Sequence, residues 1–141
     1  MSNDLEWLLI RKQNSFLVKR LPEGPIFSKE PGNLLSLHSH KYSGVANSKA
    51  VLVRESPSGI QIITKKKDAS PNAVRGALAT TTISSRTGPR RAAGIASSFA
   101  KRGYRADLRA ATLARVSALA ATQKEPKASP PKKVRGKKAK A

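Results

Sequence analysis

Twenty-eight Lys and Arg residues stand against eight Asp and Glu, which leaves the chain with a formal charge of +20. A compact body with that excess repels itself unless a polyanion neutralises it. The imbalance rises along the chain. Residues 1–70 hold 11 basic and 6 acidic residues, a net of +5. Residues 71–123 hold 9 and 1, a net of +8, and residues 124–141 hold 8 and 1, a net of +7. The first stretch is balanced enough for a folded body. The last, Lys124 to Ala141, carries Pro126, Pro130 and Pro131 and almost no large apolar side chain. It cannot bury enough surface to offset an ordering entropy of ~1–2 kcal/mol per residue, so a disordered basic tail is predicted there. The domain reading is a body over residues 1–123, with an extended loop at 69–88 and basic helices at 89–122, and then the tail at 124–141.

Composition narrows the chemistry. Hydrophobic residues make up 38% of the 141 and aromatics 4%, enough for a modest core. There is no Cys, which excludes disulfides, thiolate zinc sites and thiol nucleophiles. No apolar run approaches the ~20 residues of a spanning helix. The opening Met-Ser-Asn-Asp-Leu-Glu has no basic region before an apolar stretch, so it does not read as a signal peptide. The expectation is a soluble, intracellular, cationic protein whose partner is nucleic acid.

Periodicity gives a coarse map. Residues 3–11 predict a helix, with Asn3 as cap, Glu6 completing a capping box, Leu5, Leu8 and Leu9 on one face and Trp7 in the core. Ser15 to Arg20 predicts a strand, with Phe16 and Val18 on one face. The alternation of Leu35 and Leu37 predicts a second strand near 34–42. Ala50–Glu55 and Ile60–Lys65 predict a hairpin closed by Ser56-Pro57-Ser58-Gly59, with proline to set φ and glycine to permit a positive one. Residues 69–88, rich in Gly, Pro and hydroxyl side chains, predict a loop with some extended structure around Ile83. A helix is expected from Pro89 to Gly103, with Ile95 and Phe99 four apart, and another from Asp107 to about Thr122, with Leu108, Ala111 and Leu119 inward and Val116 beside them. The fold class is α+β, a small antiparallel sheet with N-terminal and C-terminal helices packed on it.

Catalytic constellations are missing. His38 and His40, the two histidines, would share a face on a strand but lack a third ligand nearby, so no metal site is predicted. No carboxylate pair or phosphate-cradling glycine loop stands out; Asp4, Glu6 and Asp107 suit helix starts, and Glu55 could pair with a base across the hairpin. No cofactor, no small-molecule substrate, no membrane contact and no homo-oligomer are expected, and the chain reads as a non-enzyme.

The basic clusters are the positive signal. Arg90, Arg91, Lys101, Arg102, Arg105 and Arg109 crowd one stretch around Tyr104, with Arg105 and Arg109 on a shared face if the last helix extends back that far. Arg11 with Lys12, Lys19 with Arg20, Lys41 beside Tyr42, and the run Lys65, Lys66, Lys67 form others. Lys132, Lys133 and Arg135 lie in the tail, where Lys132-Lys133-Val134-Arg135 also fits a nuclear import signal. Lys and Arg at these positions would hold phosphates, and Tyr42, Tyr104 or Trp7 could stack on unpaired bases. No DNA-reading helix or RRM signature is visible, so recognition of structured RNA by shape and backbone is expected.

The order of motifs is also similar to a known family. Leu5-x-Trp7, Arg11 and Ser15-Phe16-Leu17-x-Lys19-Arg20 come first. Glu30-Pro31-x-Asn33-Leu34 and Lys41-Tyr42-x-Gly44 follow, then Thr81-Thr82-Ile83, Tyr104-Arg105-x-Asp107-Leu108-Arg109 and Ala118-x-x-Ala121-x-Gln123-Lys124. Together, over about residues 5 to 124, they resemble the eukaryote-specific large-subunit ribosomal protein family numbered twenty-eight. The segment Leu21–Phe27 looks longer than the family's loop, Ala106 stands where the family often has proline, and the Lys-rich tail does not align. The resemblance implies a structural component of the cytosolic large ribosomal subunit that binds ribosomal RNA, neighbours other ribosomal proteins, serves translation and is assembled in the nucleolus. It implies an α+β domain related to the N-terminal part of a nucleolar assembly factor, and no catalytic or metal residues. The alternatives are such an assembly factor, or a chromatin protein that compacts DNA with a tail like that of a linker histone.

Overall fold

A computed structural model describes residues 2–66, 68–70, 72–124 and 128–129. The tail expectation, and with it Lys132, Lys133 and Arg135, lies outside the described residues, as does Lys67.

The centre is a three-stranded antiparallel sheet in the order β3-β4-β5, with β3 at Val51–Ser56, β4 at Gly59–Lys65 and β5 at Leu78–Ser84. The hairpin forms as the sequence predicts. Ser56 pairs with Gly59, and Gly59 has φ +137° with its Cα so close to β5 that a Cβ would meet the Ile83 carbonyl oxygen at 2.0 Å. Only glycine fits that corner. Val53 faces Ile62, and Ile60 faces Ile83, across the ladders. These residues, with Val51, form the inner face.

Three helices cover that face. α2 spans Pro89–Ala96, α3 Ser98–Lys101 and α4 Arg109–Thr122, the last preceded by a 3-10 turn at Ala106–Leu108. Ala92, Ala96, Phe99, Ala111 and Val116 of the helices and Leu108 of the turn are buried in one cluster with the strands. Burying each of the large ones is worth roughly 1.5–3 kcal/mol. The single helix expected from Pro89 to Gly103 is two. The break is at Ser97, which has φ −92° and ψ 0° and whose hydroxyl donates to the Gly94 carbonyl. Gln123 fastens the far end of α4, donating to the Gly59 carbonyl at 3.2 Å and to Glu55 at 3.3 Å. Glu55 therefore pairs with an amide and not with a base across the hairpin.

The N-terminal part differs more from the sequence reading. The helix α1, Asn3–Ile10, is capped by the backbone of Ser2, so Asn3 lies inside it and no capping box forms. None of its residues is buried, and Leu5, Leu8 and Leu9 are exposed. Asn3 and Glu6 line a cleft of about 780 Å³ against Leu52 and Ile63, on the sheet face opposite the other helices. The strand expected at 15–20 shrinks to β1, Leu17–Val18, paired with β2, Phe27–Ser28. The strand expected near 34–42 contributes a single bridge, Phe27 to Leu37, because Ser36 takes φ +58° and interrupts the extended chain. The loop expected at 69–88 contains β5. It carries no alternation because Ile83 alone of its residues is buried, but the Thr80-Thr81-Thr82 run suits a strand through its β-branched side chains.

Candidate nucleic-acid interface

The structure divides the predicted cationic residues into three environments. The first is a stitched node where the helical part meets the open end of the hairpin. Gly103, at φ +72°, ends the helical run, and Tyr104 turns inward with its ring edge-on to Phe99 at 6.4 Å. Its hydroxyl lies 3.1 Å from the Ala50 carbonyl and 2.6 Å from that of Lys65. Those two residues are also joined by a backbone bond from the Lys65 amide, so Tyr104 caps the last rung of β3 and β4.

Arg105 follows at φ +44°, a left-handed conformation uncommon for a side chain of this size. Its guanidinium donates to the Lys49 carbonyl at 2.9 Å, to the Lys41 carbonyl at 2.6 Å and to both Asp107 oxygens at 3.0 Å. Arg105 and Arg109 therefore do not share a helical face, since α4 begins only at Arg109. The Arg105 hydrogen bond, with the Arg105 and Lys41 charges adding to it, holds the Asp107 carboxyl below the usual carboxylate range. Lys49, which the sequence reading passed over, stands with Nζ 5.7 Å from the Tyr104 ring, and Lys41 with Nζ 5.4 Å from that of Tyr42. Lys65 Nζ reaches the Asn47 carbonyl. This node brings Lys41, Tyr42, Lys65, Tyr104 and Arg105 together, but Tyr104 and Arg105 spend their polar groups on the protein's own backbone.

Burial pushes the Tyr104 hydroxyl above its ordinary value of 10.0, against the opposite pull of its two backbone contacts and the Arg105 charge. A raised folded value means that the neutral phenol is the form the fold favours. Its contribution is complete below pH 10 and is lost as pH rises through the folded value. Tyr104→Phe is expected to lower stability by about 1–2 kcal/mol at neutral pH and to flatten the alkaline decline. Urea melts at neutral pH and above pH 10 measure both.

The second environment surrounds Trp7, which lies outside the core assigned to it. Its indole is half-buried, tilted against His38 at 4.9 Å and stacked on His40 at 5.6 Å. Arg11, Lys12 and Lys19 ring the cavity beside it. Arg20 is exposed close by in sequence. His38 Nε2 binds the Arg11 carbonyl at 2.7 Å, and His40 Nδ1 lies 3.6 Å from Asp4. Among the described residues, no group of three or more His, Asp or Glu could hold a metal ion.

The third environment is the outer surface of the helices. Arg90, Arg91, Lys101, Arg102 and Arg109 are all exposed, as is Lys66 on the β4 side. Arg86, Arg115 and Lys124, not among the phosphate contacts expected from the sequence, are exposed too. Among the described residues the one Lys or Arg ion pair is Arg105 with Asp107, while His40 lies against Asp4. The five helical cations therefore meet no carboxylate there.

One acid of the motif series is buried, which its sequence does not announce. Glu30 is 6% exposed, accepts from the Ser43 hydroxyl at 2.8 Å and from Asn33 at 3.4 Å. It holds the loop before the 3-10 turn His40–Tyr42. Beside it Gly44 passes so close to Pro31 that a Cβ would meet the Pro31 carbonyl oxygen at 2.1 Å. The spacing Glu30 to Asn33 was a visible signal, but nothing local marks Ser43 as its partner.

Comparison with known proteins adds to this geometry. The ribosomal L28e protein family matches residues 5–122. A protein of Schizosaccharomyces pombe named large ribosomal subunit protein eL28 is 36% identical over 129 residues, covering 90% of this chain and 96% of that protein. A Dictyostelium discoideum protein of the same name is 34% identical over 118 residues, covering 82% of this chain and 84% of that one. One from Caenorhabditis elegans is 38% identical over 71 residues, half of this chain and 56% of that protein.

Proposed function

The chain belongs to the ribosomal L28e protein family, and from that membership we propose that it is a structural constituent of the large ribosomal subunit that binds ribosomal RNA through exposed cations. The observation that supports this most is the helical surface. Arg90, Arg91, Lys101, Arg102 and Arg109 are exposed without a carboxylate partner among the described residues. Such a surface neutralises phosphates and gains free energy from released counterions. The rigid sheet and helices set the spacing of the charges, which suits recognition by backbone shape over base sequence. The basic tail residues Lys132, Lys133 and Arg135, with Lys67, extend the same chemistry in this reading. The chain acts in the cytoplasmic ribosome, beside other ribosomal proteins, and joins the subunit in the nucleolus. It works as a scaffold and not as an enzyme.

Sedimentation of a cell lysate through a sucrose gradient tests the reading. The chain is expected at stoichiometric level in large subunits, monosomes and polysomes after a moderate salt wash. Presence only in nucleolar precursor fractions would make it an assembly factor, and presence in chromatin alone would make it a DNA-compacting protein. At the residue level, Arg109→Ala is expected to lower the slope of log affinity against log salt by ~0.7–0.9 without altering the melt. An unchanged slope would remove Arg109 from the interface.

A further inference from the structure

We propose that the cavity beside Trp7 receives one unpaired RNA nucleotide, its base against the indole and its phosphates on Arg11, Lys12 and Lys19. This rests on the RNA-binding reading above and names the ligand class of one of its sites.

Three observations converge. The first is the placing of the chain's single tryptophan. A tryptophan used for packing alone belongs with the Val, Ile and Leu side chains between sheet and helices. Trp7 stands apart from that cluster, on a helix with no buried residue, and its ring neighbours are two imidazoles. The second is unused hydrogen-bonding capacity. His38 Nε2 donates to the Arg11 carbonyl. His38 Nδ1, Ser39 Oγ and His40 Nε2 are buried without a partner. Unsatisfied buried polar atoms are costly, and these three belong to residues that line the cavity. The third is shape and charge. The cavity measures about 710 Å³, within the range of small-ligand sites, with Trp7, Ile26 and His38 as its wall. Lys12 and Lys19 also line a shallower groove of about 590 Å³ alongside, a track for the next phosphate of a strand. The carboxylate of Asp4 faces His40.

An aromatic face, a polar edge and an adjoining anion are together the description of a nucleotide. A bare phosphate lacks the first two. A paired base cannot enter, because both of its faces are stacked and its edge is occupied.

Because there is one tryptophan, its emission reports on this cavity alone. The full chain is titrated with a short oligoadenylate and, separately, with a blunt-ended RNA duplex of equal phosphate count. Binding is followed independently by the anisotropy of labelled RNA. Oligoadenylate is expected to quench Trp7 emission and the duplex to bind without quenching. Trp7→Leu, which keeps an apolar side chain on a helix with no fully buried residue, is expected to weaken oligoadenylate binding about five- to hundredfold and to leave duplex binding unchanged. Binding of oligoadenylate with unchanged emission and no effect of Trp7→Leu overturns the nucleotide site and leaves RNA binding intact. Equal quenching by both RNAs also overturns it. Failure of both RNAs to bind removes the broader reading and this one with it.

Discussion

Arg105→Ala is expected to cost the fold about 2–4 kcal/mol and to change RNA affinity no more than the loss of folded protein explains. The reason is geometric. The Arg105 side chain is 15% exposed, and its guanidinium ties the Lys41 and Lys49 carbonyls to Asp107. Hydrogen bonds to a charged group contribute about 1.5–3 kcal/mol each, and removing the donor leaves three acceptors short. The variant also keeps the left-handed backbone at this position, now without the side-chain bonds that hold it there. Arg105→Lys restores the charge but not the planar fork, so it is expected to recover little. Acid titration supplies a second readout. Asp107 has a depressed carboxyl, so its contribution is present above the ordinary value of 3.8 and is lost as pH falls through the folded one. Urea melts from pH 6 down to pH 2 should show that loss in the parent chain and a flatter profile in Arg105→Ala. Unchanged stability with a reduced salt slope would instead make Arg105 a phosphate contact.

The second large effect is on RNA binding. A chain that neutralises 6–10 phosphates loses about 10³–10⁵ in affinity between 50 and 200 mM salt. The parent chain is expected to fall in that range. Replacing Arg90, Arg91, Lys101, Arg102 and Arg109 together by Gln should lower the log–log slope by roughly 3.5–4.5, five contacts at ~0.7–0.9 each. The melt should barely move, because all five side chains are exposed and take part in no ion pair among the described residues. Affinity for a ribosomal RNA fragment, measured across salt concentrations, checks the number. A slope within about one unit of the parent's would shift the interface to the Trp7 side or to the stitched node.

These two results separate residues that look alike in sequence. Arg105 and Arg109 are both arginines four apart in one basic stretch, and both were candidate phosphate contacts. The difference is the turn at Gly103, which sends Tyr104 and Arg105 inward before α4 begins. Much of the motif series that carried the family resemblance has the same internal character. Glu30 and Asn33 bond within their loop, Gly44 lies against Pro31, Ile83 fills the core, and Gln123 holds the hairpin turn. Those motifs mark the fold's own joints.

The hairpin was legible because Val and Ile alternate on both arms and Pro57 and Gly59 fix the turn. The last helix was legible because Leu108, Ala111, Val116 and Leu119 keep one side through an alanine-rich run. Strand β5 was hidden because its outer side is solvent and its inner side buries one residue, so no period of two arises. The expected strand near 34–42 failed at one backbone angle, Ser36, that apolar spacing does not encode.

What the sequence determined by itself is the sign and size of the charge, the fold class and the family. These follow from composition, local periodicity and motif order, and each is a property of neighbouring residues. The tertiary structure alone decided which cations face solvent and which fasten the chain. It also placed Trp7 among imidazoles and not in the core, and it joined Glu30 to Ser43. These are contacts between residues far apart along the chain, set by how sheet and helices close on each other, and local pattern carries no record of them.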